Sequence, residues 1–284
     1  MEDRLWSIVC DVVPADKAEG RQKYSVREIL LVMLWAVLHD RPMRWACQAE
    51  NWPVEHRPPQ LPHPSTVSRR RRQPGVQTLM NRCHEKFLER LAAADASGNW
   101  AVIDGMPLIV SDFSKDPDAR NGRAYRHWGR GYKLHAVFDS RGVVLRFEVC
   151  PLNVNERVAA NRLLPGLERY VRRILADGNY DGKPLHQRLE GRPLKLYTPL
   201  INDYAGPRTH PRRLRLKRLM DKPIGAKLRR TRDQIERQFG LFGNLGFGFK
   251  GLPNWVRRQH RVSDWMSLKL LLYHAYKLAP TRGA

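Results

Sequence analysis

The spacing of apolar residues changes near residue 95, and this change constrains the fold more than any other feature of the chain. Before it, apolar residues recur every three or four positions, as in Val76, Leu79, Met80 and Cys83, which is the spacing of an amphipathic helix. Beyond it, short apolar runs bounded by turn residues are typical of strands. We therefore expect a helical region at residues 1–95 and a domain of strands and helices at residues 96–284.

The second region predicts a mixed sheet. Strands are expected at residues 100–104, 133–139 and 143–149, a helix at 155–170, and two further strands at 171–176 and 194–199. Sheets with this order of elements bury their faces under helices. The predicted fold class is α+β or α/β, with helices flanking a mixed sheet.

The helical region has the pattern of a helix-turn-helix. Ser25 and Glu28 have the spacing of a capping box, which predicts a helix at 26–39. Pro64 and Ser65 then begin a short helix through residue 72, with Ser65 as its cap. Such a helix can enter the major groove of DNA; a solvated basic helix end is the alternative. The residues expected at DNA are Ser65, Thr66, Ser68, Arg69, Arg70, Arg71 and Arg72.

The charge of the chain points to a polyanionic partner. The chain has 51 Lys and Arg against 28 Asp and Glu, a formal charge of +23. DNA or RNA is the first partner to expect; an anionic membrane surface, a ribosome and a merely basic enzyme are the alternatives. The longest apolar stretch, residues 29–38, is shorter than the roughly 20 residues that cross a bilayer. No secretory signal pattern opens the chain, so we expect a cytoplasmic protein without a membrane partner.

Three acidic residues stand out in this basic chain. Asp104 and Asp177 each follow an apolar strand, and Glu236 lies in a later helix. Carboxylates that lose solvent need a compensating charge, and three of them can hold two hard divalent cations. Taken singly, each has a simpler interpretation: an Asp before Gly is often a turn residue, and Glu236 is spaced to pair with Arg232. Asp181 is interpreted as a turn residue, with an outer residue that supports the metal ligands as the alternative.

The order of these residues resembles that of the insertion-sequence transposases with a DDE catalytic triad on an RNase H-like fold. The matching segments are 102–105 for the first aspartate, 131–137 with Asp139 and Gly142 for a hairpin, Pro151 with Asn153 and Asn155, 176–177 with 180–181 for the second aspartate, and Arg232 with 235–237 and 239–240 for the glutamate. The resemblance covers most of the chain. It implies an RNase H-like catalytic domain at 96–284.

The resemblance also implies the chemistry and the partners. Asp104, Asp177 and Glu236 would bind Mg²⁺, with Mn²⁺ as a substitute, and would cut transposon ends and join them to target DNA. A homodimer or larger assembly would hold two ends, in the cytoplasm at the nucleoid. The basic segment 209–232 would guide the DNA backbone; disorder of 209–223 is the alternative. DNA contacts beyond the helical region are expected at Arg229, Arg230, Arg232, Arg237 and Lys250.

Two positions depart from the family pattern. Many relatives have a tyrosine three residues before the arginine and a lysine seven residues after the glutamate, where this chain has Arg229 and Gly243. The DNA-contacting role of that lysine would pass to Lys250 or to an arginine. Two alternatives therefore stay open beside a transposase: an inactive or domesticated DNA-binding derivative, and an RNase H-like nuclease that cuts without strand transfer.

Overall fold

The computed structural model describes residues 2–18, 20–95, 99–124, 127–199, 209–244 and 252–279, except for the side chains of 234–236 and 238–244. Within them the helices are α1 (Glu2–Val12), α2 (Val26–Leu38), α3 (Pro64–Arg70), α4 (Pro74–Ala94), α5 (Glu156–Leu163), α6 (Lys183–Arg188), α7 (Pro211–Met220), α8 (Pro223–Asn244) and α9 (Gln259–Leu278). The strands are β1 (Trp100–Val110), β2 (Arg120–Ala124), β3 (His127–Asp139), β4 (Val144–Pro151), β5 (Arg173–Leu175) and β6 (Lys195–Tyr197).

The chain divides into two compact units. The described residues of the first lie mainly within Met1–Ala94 and Arg261–Ala284, and those of the second within Asp95–Gly243 and Lys250–His260. Most of α9 therefore groups with the N-terminal helices, although the sequence alone places it with the sheet. The division into functional domains at residue 95 stays a prediction.

The first unit is helical and packs around α2. The predicted capping box is present: Ser25 N donates to Glu28 Oε2 at 2.7 Å, and Glu28 N donates to Ser25 Oγ at 3.1 Å. Eight of the thirteen residues of α2 are buried, and the ring of Trp35 stacks on that of Trp52 with centroids 4.5 Å apart. Helix α2 is thus the core of this unit.

The short helix α3 begins earlier than the sequence predicts. His63, and not Ser65, is its N-cap: Ser65 N donates to His63 Nδ1 at 3.3 Å. Pro64 takes the first helical position, where its missing N–H has no intrahelical partner to lose and its fixed φ already suits a helix. The expected cap at Ser65 is therefore wrong, and α3 ends at Arg70 rather than Arg72.

The second unit contains a six-stranded mixed sheet within the described residues. The order is β2-β3-β1-β5-β6, and β4 pairs with the later part of β3. Strand β3 is antiparallel to β1, β2 and β4, whereas β1, β5 and β6 are mutually parallel. With helices against it, this sheet has the RNase H-like α+β architecture that the resemblance implies. The predicted fold class is confirmed.

Three strands and one helix differ from the prediction. Strand β3 begins at His127 rather than at residue 133, and the helix expected at 155–170 ends at Leu163. Strand β2 is absent from it because Arg120, Asn121, Gly122 and Arg123 have no apolar alternation. Strand β1 runs six residues beyond Asp104, since its pairing with β3 continues to Val110 opposite Arg130. Asp104 therefore lies in the middle of a strand rather than at its end.

Across the described part of the chain, every helix is too short or too polar to cross a membrane.

Candidate active site

The structure brings Asp104 and Asp177 to the same level of the sheet. Strands β1 and β5 run in parallel with Val102 opposite Leu175. Each aspartate is two residues further along its own chain. Because adjacent strands lie about 4.8 Å apart, the backbones of Asp104 and Asp177 lie side by side, Asp104 within β1 and Asp177 just after the end of β5. Strand β5 ends at Leu175, so the sheet opens beside Asp104 where the Asp177 backbone turns away.

Asp177 is held by neutral donors. It caps the 3₁₀ turn Gly178–Tyr180, and its Oδ1 accepts a hydrogen bond from Asn179 N at 2.9 Å. Its Oδ2 accepts from Asn179 Nδ2 at 3.0 Å. Asp104 Oδ1 similarly accepts from Gly105 N at 2.7 Å. These short-range bonds orient each carboxylate without supplying a positive charge.

Burial raises the pKa of Asp177 above its ordinary value, and the negative charge of Glu156 adds to this effect. The hydrogen bonds from Asn179 and the positive charge of Arg232 oppose it, but the pKa stays raised. The carboxylate is thus under-compensated inside the protein. A divalent cation would supply the missing charge, and carboxylate oxygens are the ligands that Mg²⁺ prefers.

Helix α8 brings the third predicted acid to this region. Arg232 lies on α8 within electrostatic range of Asp177. Glu236 is four residues later on the same helix, and residues four apart share a helix face. The backbone of Glu236 is therefore placed on the Arg232 face of α8. Its side chain lies outside the described residues.

Only two of the three predicted metal ligands have described side chains. Among the side chains that the structure describes, no group of three His, Cys, Asp or Glu is placed to hold a metal ion. Asp104 and Asp177 offer two hard oxygen donors, one of them buried and short of positive charge. Such donors fit Mg²⁺ or Mn²⁺. The third donor would have to come from Glu236.

A buried ion pair beside this region is absent from the sequence-based prediction. Lys133 Nζ donates to Glu156 Oε1 at 2.6 Å, and both side chains are largely buried. A Cβ atom at Gly105 would lie 3.0 Å from Lys133 Cδ, so the glycine after Asp104 makes room for the lysine. The sequence offers one signal: Glu156 opens α5 directly after its cap, Asn155.

His135 lies next to Lys133 on the same face of β3. It is fully buried, and its Nδ1 lies 3.4 Å from the hydroxyl of Tyr180. Burial first, and the charge of Lys133 second, lower the pKa of His135 to about 4. The imidazole is therefore neutral at pH 7.

Asp181 has more partners than the turn interpretation predicts. It closes the turn that Asp177 opens, but its carboxylate is fully buried. Arg213 Nε donates to its Oδ1 at 2.9 Å, Arg213 Nη2 donates to its Oδ2, and His186 Nε2 lies 3.2 Å from Oδ1. Asp181 is therefore an anchored carboxylate and not only a turn residue.

The expected DNA-contacting residues of α3 divide into two groups. Ser65, Arg69 and Arg72 are exposed, and Thr66 and Ser68 are partly so. Arg70 and Arg71 are buried: Arg70 Nη1 donates to the Tyr24 carbonyl at 3.0 Å, and Arg71 lies 3.8 Å from Asp264. The structure thus uses Arg70 and Arg71 inside the helical unit, which leaves Arg69 and Arg72 as the accessible cations.

The basic segment before Glu236 is helical. The alternative of a disordered loop is wrong for residues 211–220, which form α7. Arg229, Arg230 and Arg237 are exposed along α8, and Arg232 is partly exposed. Lys250 lies outside the described residues. Basic side chains therefore line the helix that carries Glu236.

Comparison with known proteins identifies a family. Residues 95–273, more than half of the chain, match the family model described as the transposase DDE domain. No curated protein matches the chain.

Proposed function

Because the chain belongs to the transposase DDE domain family, we propose that it is an insertion-sequence transposase that cuts DNA at transposon ends and joins those ends to target DNA. One observation carries the proposal. Asp104 within β1 and Asp177 just after β5 lie at one level of two neighbouring parallel strands, and Arg232 brings the helix of Glu236 within electrostatic range of Asp177. This arrangement supports a site in which Glu236 joins the two aspartates.

The three acids would hold two Mg²⁺ or Mn²⁺ ions. Bound divalent ions supply activation of the attacking oxygen and stabilisation of the leaving oxygen. Asn179 keeps the carboxylate of Asp177 oriented. Arg232 adds positive charge where a scissile phosphate would approach. Such phosphoryl transfer depends on positioning and charge neutralisation.

The reaction would proceed in two steps. Water attacks the phosphorus at the transposon end, the bond to the 3′ oxygen breaks, and the end is left with a 3′ hydroxyl. That hydroxyl then attacks a phosphorus of the target strand, which releases the target's own 3′ oxygen. Each step forms one P–O bond and breaks another, so no covalent enzyme intermediate is needed.

The exposed cations would hold the DNA. Ser65, Arg69 and Arg72 of the α3 region would contact transposon ends, while Arg229, Arg230 and Arg237 on α8 would contact the backbone near the acids. Two ends must be joined in one event, so the protein would act as a homodimer or larger assembly at the nucleoid.

The test is Mg²⁺-dependent cleavage and strand transfer on oligonucleotides that carry the flanking element ends. The variants are Asp104→Asn, Asp177→Asn and Glu236→Gln, with Asp112→Asn as a matched control, because Asp112 is exposed in the same unit. We expect each of the first three to lose both steps and keep DNA binding, and the control to keep all activities.

Other outcomes would identify the alternatives. Native protein that binds the ends but cuts with neither Mg²⁺ nor Mn²⁺ would be the inactive DNA-binding derivative, which the glycine at position 243 favours. Cleavage without joining would identify a nuclease. Full activity of the Asp177→Asn variant would contradict the three-acid mechanism.

A further inference from the structure

The turn that begins with Asp177 ends with Asp181. Tyr180 N donates to the Asp177 carbonyl at 3.3 Å, and Asp181 N donates to the Gly178 carbonyl at 2.8 Å. Asp177 and Asp181 are thus the two caps of the 3₁₀ turn Gly178–Tyr180. Strand β5 ends just before this turn. The position of the Asp177 carboxylate therefore depends on what holds the turn.

Asp181 is held from outside the turn. Arg213 binds both of its carboxylate oxygens through Nε and Nη2, and His186 Nε2 lies 3.2 Å from Oδ1. Burial acts to raise the pKa of Asp181, but hydrogen bonds from His186 and Arg213 hold it below its ordinary value. The carboxylate stays ionised at neutral pH. A two-point guanidinium bond to it fixes orientation as well as distance.

Arg213 belongs to α7, which is joined to α8 by a tight corner. Gly225 N donates to the Lys222 carbonyl at 2.8 Å, and a Cβ atom at Gly225 would lie only 2.1 Å from the Met220 carbonyl oxygen. Arg229 Nη1 also donates to the Met220 carbonyl at 3.2 Å. Helices α7 and α8 are therefore tied together at the corner, and α8 carries Glu236.

We propose that the Asp181–Arg213 pair positions the second acid relative to the third: it fastens the Asp177 turn to α7 and, through the corner, to α8. Asp181 and Arg213 are positioning residues in this proposal, because they reach the reacting atoms only through Asp177 and Glu236. The inference rests on the proposed function for its catalytic meaning, but the fastening itself is a property of the metal-free protein.

A positioning role differs from a merely structural one in a measurable way. Buried ion pairs often contribute little net stability, because desolvation offsets their attraction. Outer residues that orient metal ligands, in contrast, change metal affinity or activity by about 10- to 100-fold when they are replaced. A neutral replacement of the pair would then keep the fold but lose metal affinity.

The experiment compares Asp181→Asn, Arg213→Met, Arg213→Lys and the double variant Asp181→Asn with Arg213→Met. Arg188→Met is the matched control, because Arg188 is an exposed arginine of the same unit that lies outside the basic segment 209–232. The first readout is amide hydrogen exchange of residues 177–181 without metal or DNA. The second is the Mg²⁺ concentration that gives half-maximal cleavage.

We expect exchange of the Tyr180 and Asp181 amides to accelerate at least about tenfold in the methionine and asparagine variants, with the lysine variant in between and the control unchanged. The half-maximal Mg²⁺ concentration should rise about 10- to 100-fold. Folded variants with native exchange and native Mg²⁺ dependence would overturn the inference.

The two readouts separate the two proposals. If the native protein never cuts DNA, the proposed function fails, and the exchange measurement alone decides whether the pair fastens the turn. If Asp181→Asn does not fold, the two single Arg213 variants test whether the pair fastens the turn. In these variants the buried Asp181 carboxylate keeps its contact with His186.

Discussion

Asp177 and Asp181 cap opposite ends of one turn and have opposite surroundings. Asp181 is bound by a guanidinium that compensates its charge, and its pKa is lowered. Among the described residues, the hydrogen bonds to Asp177 come from Asn179 alone, and burial raises its pKa. In our proposals the same type of side chain is a support at position 181 and a metal ligand at position 177. The difference between the two positions is whether a positive side chain of the protein compensates the charge of the carboxylate.

The arginines around α3 also fall into two groups, one with partners inside the protein and one exposed, but here the side chains are positively charged. Arg70 and Arg71 bind a carbonyl and a carboxylate inside the helical unit, whereas Arg69 and Arg72 are exposed. A basic chain therefore does not use all its cations for a polyanion. Residues compensated inside the protein maintain the fold, and the others remain for an external partner.

The largest expected effect is on the rate of cleavage, which Asp177→Asn should lower more than Asp181→Asn. Asp177→Asn removes a proposed metal ligand, and a loss of several kcal/mol of transition-state stabilisation corresponds to about a thousandfold in rate. Asp181→Asn should cost about 10- to 100-fold, most of which excess Mg²⁺ restores. Single-turnover cleavage over a Mg²⁺ series measures both. Equal losses that Mg²⁺ cannot restore in either variant would break the comparison.

The two variants should have the opposite order of effect on the free energy of unfolding: Asp181→Asn should cost more than Asp177→Asn. Asp181→Asn leaves Arg213, whose side chain is 21% exposed, without its counter-charge, which costs at most about 3 kcal/mol. Asp177→Asn removes an under-compensated charge, so it should leave the metal-free protein unchanged or stabilise it by less than about 1 kcal/mol. Urea unfolding in EDTA checks the two values. Destabilisation by Asp177→Asn as large as that by Asp181→Asn would show that Asp177 also supports the fold.

The predictable features of this chain are local. The capping box of Ser25 and Glu28 needs only three residues of separation, and the strand before Asp177 needs only a short apolar run. The partners of Asp181 are different, because Arg213 is 32 residues away. Their meeting depends on where α7 packs, and an Asp in a turn carries no signal for it.

Non-local packing also explains the other differences. Lys133 and Glu156 are 23 residues apart, so neither predicts its partner. Arg70 and Arg71 have the same local pattern as Arg69 and Arg72, and only tertiary packing turns the first two inward. The position of Asp177 after a strand could be predicted, whereas the continuation of β1 past Asp104 and the residues that surround the two acids could not.

Burial of His135 should make the stability of the protein depend on pH. Its pKa is lowered to about 4 in the folded protein, against about 6.5 in an unfolded chain. Between these values the unfolded state binds the extra proton, so stability falls as pH falls through this window. We expect a loss of about 2 kcal/mol between pH 7 and pH 5, measured by urea unfolding in EDTA.

The matched variants for this pH prediction are His135→Gln and His127→Gln. Both residues lie on β3, but His127 is exposed. His135→Gln should lower stability at pH 7 and flatten its dependence between pH 7 and pH 5, while His127→Gln should retain the native dependence. An unchanged slope in the His135 variant would assign the acid sensitivity to other groups.

The smallest expected effect is on the salt dependence of DNA affinity, which should differ between the exposed and the buried arginines around α3. Each lost phosphate contact lowers the salt slope of DNA affinity by about 1. The double variant Arg69→Gln with Arg72→Gln should therefore lose about 2 from the slope for end DNA and keep its unfolding midpoint. Arg70→Gln should keep the slope and lose stability, because it gives up the bond to the Tyr24 carbonyl. Fluorescence anisotropy over a salt series measures the slope. If Arg70→Gln lowers the slope as much as the double variant does, a buried arginine turns outward on DNA, and internal compensation does not by itself decide which cations are available.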